Sequence, residues 1–110
     1  MSDYNNFIGE LKKNLQKLAA GSFSKYSSQL VQDGTAFAQK LEEDLNKWTG
    51  EYSLYEMSKE EFENLVKSKK ELLAMEALKH QGLAKTDLNK LRNAIVEIVT
   101  ETAVKVLLKI

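Results

Sequence analysis

The chain has 110 residues, sixteen basic and sixteen acidic, and no proline or cysteine. That length supports one domain with a core of its own, residues 1–110. The balanced charge argues against a nucleic-acid binder, which carries a basic excess, and the missing cysteines exclude disulfides, thiolate metal sites and thiol catalysis.

The first eighteen residues lack the basic start and unbroken apolar run of a signal peptide, so a cytoplasmic protein is expected. With five glycines and an apolar period near 3.6, the chain predicts an all-α fold, an antiparallel bundle of four helices.

The first helix is predicted over about 3–20. Tyr4, Ile8, Leu11, Leu15 and Leu18 form a heptad seam, widened by Phe7. Ser2 or Asp3 is the expected N-cap, and Gly21 the residue after the C-cap.

The second helix is predicted over about 23–49, burying Phe23, Tyr26, Leu30, Phe37, Leu41, Leu45 and Trp48. Gly34 falls on that face, with Ala38 one turn on. The favoured reading is a tolerated glycine costing about 1 kcal/mol of helix propensity; the alternative is a hinge or a close helix contact. Glu42, Glu43 and Asp44 point in different directions and read as a solvated face.

The stretch Thr49–Met57 follows, with Tyr52, Leu54, Tyr55 and Met57 too apolar for a free linker. The expectation is a loop lying across the bundle and covering it. The functional alternative is a recognition loop, since loops carry binding residues and tyrosine is a good contact residue.

The third helix is predicted over about 59–81. Ser58 and Glu61 match a capping box, and Met57 with Phe62 a hydrophobic staple. Gly82 suits the left-handed position after the helix, with Leu83 reaching back to Leu78. Lys69 and Glu76 fall on the apolar face as drawn. They mark its edge, a drift in register, or a buried ion pair.

The fourth helix is predicted over about 87–109, with Thr86 as N-cap and Asp87 favourable to the dipole. So short a link makes the third and fourth helices a tight antiparallel hairpin. Glu97, Glu101, Lys105 and Lys109 form one stripe covering about 120°. The remaining apolar arc is about 200°, against the roughly 100° of an ordinary surface helix. This helix is therefore central to its own fold, or it pairs with a partner.

Chemistry is sparse. Glu76 and His80, one turn apart, are the candidate metal ligands, but a di-iron bundle needs two Glu-x-x-His motifs and this chain has one histidine with a different spacing. The stretch Lys67, Lys69, Lys70 does not share a face. No phosphate loop, nucleophile elbow or zinc spacing is present. No catalytic residue and no cofactor is expected.

The function expected is a non-enzymatic structural or protein-interaction module. It self-associates, as a dimer, or binds another protein through the fourth helix, the first, or both. The expected contact residues are Tyr52, Leu54, Tyr55, Ile98, Val99, Val106, Leu107 and Ile110. The alternative is an amphipathic protein on a lipid or granule surface, against which stands the mixed charge of its polar faces.

Overall fold

The computed structural model describes residues 3–21 and 23–110. All regular structure among them is helical: α1 (Asp3–Leu18), α2 (Ser27–Lys40), α3 (Glu42–Ser53), α4 (Lys59–Ser68), α5 (Glu76–Lys79) and α6 (Lys85–Val106). A 3-10 turn precedes α2 (Ser24–Tyr26) and another follows α4 (Lys70–Leu72). The all-α class stands, but the count of four helices does not. The predicted second and third helices are each broken.

The seam of α1 buries Tyr4, Phe7, Leu11 and Leu15. The proposed Ser2 cap lies outside the described residues, while Asp3 occupies the first turn. Asn14 Nδ2 donates to Thr102 Oγ1 at 2.9 Å, and Asp3 pairs with Lys109 at 3.5 Å. The two links run in opposite chain directions, so α1 lies antiparallel to α6. The buried Tyr4 hydroxyl donates to the Ala38 carbonyl of α2. Burial, and then the charge of Glu42, push this phenol well above its ordinary pKa.

The second predicted helix breaks at Leu41, which sits at φ −92° and ψ 1°. Its N–H donates to both the Phe37 and Ala38 carbonyls, and its own carbonyl accepts from Leu45. The break falls just before three consecutive acids. Glu42, Glu43 and Asp44 occupy the first turn of α3, where the helix dipole favours negative charge. They are therefore more than a solvated face. The α3 helix then continues to Ser53, beyond the predicted end at residue 49.

Gly34 is a point of close approach, not merely a tolerated glycine. A Cβ there would stand 2.5 Å from one Leu15 methyl and 3.1 Å from the other. Leu15 is fully buried and has little room to turn. Gly34→Ala gains about 1 kcal/mol of helix propensity but loses about 1–3 to overpacking. The expected result is a net loss of up to about 2 kcal/mol in chemical denaturation, and a smaller loss when the glycine is replaced in a Leu15→Val background. A stabilised single variant would show that α1 yields freely.

The capping box of α4 forms as expected. Glu61 N–H donates to Ser58 Oγ at 3.1 Å, and Ser58 N–H to Glu61 Oε1 at 3.0 Å. Ser58→Ala should cost about 1 kcal/mol, read as a lower melting temperature.

The third predicted helix ends at Ser68, not at residue 81. The chain then turns through Lys70–Leu72, and Met75 adopts φ +59°. This is the left-handed region, uncommon outside glycine. Met75 is buried there, and α5 restarts the chain for a single turn. Lys69 stands at the break, paired with Asp44 at 3.8 Å, and Glu76 is exposed. The drift reading of these two charges is the correct one.

Gly82 takes φ +73°, the left-handed position expected of it. Ala84, not Thr86, is the N-cap of α6, in extended backbone without a side-chain cap. The helix starts earlier because the chain is already extended at Ala84, whose carbonyl accepts from Leu88 at 3.0 Å. Lys67 pairs with Glu97 at 3.3 Å and Lys70 donates to Asn93 at 3.0 Å, which sets α4 antiparallel to α6. Together α1, α2 and α4 pack around α6. Its wide apolar arc is thus covered by its own chain, with Val96, Val99, Thr100, Thr102, Ala103 and Val104 all buried.

Candidate functional site

Most expected contact residues on α6 and in the residues just after it are not at the surface. Val99 and Leu107 belong to the core, and Ile98 and Val106 pack partly buried against it. Only Ile110 is open, at 58% exposure. The broad surface expected there is absent because other helices occupy it.

The α3–α4 turn is different. Leu54 is 68% exposed and Tyr55 97%. The expected cover over the bundle forms only in part: Tyr52 and Met57 pack partly buried against the core, but α3 runs on to Ser53 and the four residues left before the Ser58 cap are too few to carry Leu54 and Tyr55 back over it. Tyr52 therefore lies in the last turn of α3, half-buried. Tyr52, Tyr55, Met57 and Lys59 help to line an open groove of about 620 Å³. Below it, Trp48 and Phe62 meet edge to face, with ring centroids 6.5 Å apart. That contact holds α3 against α4 and gives the turn a rigid base.

The turn closes by a Schellman pattern. Glu56 N–H donates to the Glu51 carbonyl at 2.9 Å, and Tyr55 N–H to the Tyr52 carbonyl at 3.0 Å. The pattern needs a left-handed residue after the C-cap, usually glycine. Here the residue is Tyr55, at φ +62°. A nearly fully exposed tyrosine thus occupies a position that glycine fills at less conformational cost. Its ring does not stabilise this chain.

The turn is acidic. Glu51, Glu56, Glu60, Glu61 and Glu63 surround it against a single Lys59. Glu61 is held in the capping box and Glu63 pairs with Lys59 at 3.8 Å. Glu51, Glu56 and Glu60 have no ion-pair partner among the described residues.

Glu76 opens α5 and His80 follows it, both exposed. Among the described residues no group of three or more histidine, aspartate or glutamate side chains is placed to hold a metal ion. No described helix is long and apolar enough to cross a membrane.

A buried site that sequence reading missed is Asp33, on the core face of α2. Its carboxylate accepts from the Ala77 and Leu78 N–H groups, each at 2.9 Å. It serves α5 as an N-cap supplied from another helix. The available signal was an acid in step with Leu30 and Phe37 on an apolar face.

Compared with protein-family models, curated proteins and solved structures, the chain matches none.

Proposed function

We propose that the chain is a non-enzymatic protein-interaction module of the cytoplasm whose contact surface is the α3–α4 turn. The supporting observation is Tyr55. It is 97% exposed and held at positive φ, where its own chain gains nothing from the ring. Backbone conformations of that kind cluster at functional positions. Tyrosine is enriched at protein interfaces because it offers a large contact area with a polar tip. Leu54, Tyr52 and Met57 supply apolar surface beside it. The acidic surround makes an anionic lipid surface a poor match.

Tyr55→Gly separates the two roles of the position. It should raise stability by about 1 kcal/mol, through relief of the left-handed backbone, and remove the contact. Calorimetry reads the first effect. For the second, a photoreactive phenylalanine analogue is placed at position 55 and, as control, at exposed Lys12 of α1. Irradiation in the native cell should give discrete protein adducts from position 55 alone. Equal adducts at both positions, or none, would remove this reading.

A further inference from the structure

We propose that the partner seated on the α3–α4 turn is a second copy of the chain, and that copies associate head to tail. This rests on the reading of the turn as a docking surface and names its occupant. The argument starts from charge. The chain is neutral as a whole, but residues 42–63 carry eight acidic and two basic side chains, and residues 64–92 carry seven basic and three acidic. The zero net charge is therefore a strongly divided one, with the acids gathered on the α3–α4 hairpin.

The basic part contains a second groove, of about 440 Å³, lined by Lys70, Glu71, Leu73, Ala74, Lys79 and Arg92. Lys79 and Arg92 have no ion-pair partner among the described residues, as Glu51, Glu56 and Glu60 have none at the turn. Leu72, adjoining the groove, is 42% exposed. Each surface thus combines an open apolar residue with unpaired charge, and the signs are opposite. Arginine also stacks on aromatic rings, which suits Arg92 to Tyr55.

Two turns meeting face to face would oppose like charges, and so would two basic grooves. Only turn against groove joins opposite signs. That contact is heterologous, so it propagates from copy to copy until it closes a ring or extends.

The test uses two charge-reversed chains. One carries Glu51→Lys, Glu56→Lys and Glu60→Lys on the turn, which takes its six charged residues from a net −4 to +2. The other carries Lys79→Glu with Arg92→Glu on the groove. All five residues lie on the surface or half-buried, and circular dichroism checks that each chain folds. Molar mass is followed by light scattering behind size exclusion, up to high concentration and at low ionic strength, where charge is least screened.

The wild-type chain should exceed the monomer mass. Each variant alone should weaken association at least about tenfold, since its two surfaces now repel. Their equimolar mixture should restore it, because every turn again faces a groove of opposite sign. A wild-type chain that stays monomeric overturns the proposal, as does a variant that associates alone like wild type, or a mixture that remains monomeric. If the wild type is monomeric yet position 55 still gives adducts with another protein, the interaction-module reading stands and only self-docking fails. If position 55 gives none, both fail.

Discussion

Val99→Asp should abolish the fold, while Ile98→Asp one residue earlier should leave a folded, weakened protein. Val99 is fully buried in the core and Ile98 only partly. An aspartate at position 99 places an unpaired carboxylate among apolar side chains. The penalty is several kcal/mol even after relaxation, comparable with the whole stability of a small domain, about 5–15 kcal/mol. At position 98 the carboxylate can turn towards water, and the expected loss is about 1–3 kcal/mol. Far-UV circular dichroism separates the cases: loss of helical signal for Val99→Asp, and a helical spectrum with a lowered melting point for Ile98→Asp. The reverse order would mean that α6 is rotated by about one residue, roughly 100°.

Asp33→Ala should cost about 2–4 kcal/mol, by leaving one buried and one part-buried N–H group without acceptors. The α5 helix is only four residues long and cannot sustain itself, so the loss falls on the whole segment between α4 and α6. Asp33→Asn keeps one acceptor oxygen and should cost about half as much. Urea unfolding reads both as a lowered midpoint. A midpoint unchanged in Asp33→Ala would show that α5 is held by Met75 and Leu78 packing alone.

What the sequence made legible depended on whether a signal was local. Ser58 and Glu61 sit three residues apart and satisfy each other, so their box could be read directly and forms. The seam of α1 was equally plain, because heptad spacing is a property of one helix. The break at Leu41 was hidden: one residue of altered ψ, without glycine or proline, barely disturbs the apolar period, and Leu30, Phe37, Leu45 and Trp48 all remain on the buried side. The break at Lys69 did leave a trace, in two charges that fell on the apolar face as drawn.

Other features were decided at a distance. Met75 takes positive φ although nothing in its neighbours requires it; the Asp33 bonds that hold the following turn come from forty-odd residues away. Of the site, the composition of the α3–α4 turn was readable but its exposure was not. Whether Leu54 and Tyr55 cover the bundle or leave it depends on where α3 ends, and Gly50 is a weak stop signal that the helix overruns. The width of the apolar arc on α6 was correctly read, but its cover came from the same chain.

The Asn14–Thr102 hydrogen bond bears on uniqueness. A heptad seam is nearly self-similar: sliding α1 along α6 by seven residues, about 10 Å, would again set apolar knobs against an apolar groove. Burial alone discriminates weakly between those alignments. The half-buried amide of Asn14 does discriminate, because only one alignment brings it to the Thr102 hydroxyl, and every other leaves both groups without that partner. A single polar contact, adding little to the total stability, thereby selects one alignment of α1 on α6 from several that would bury similar area.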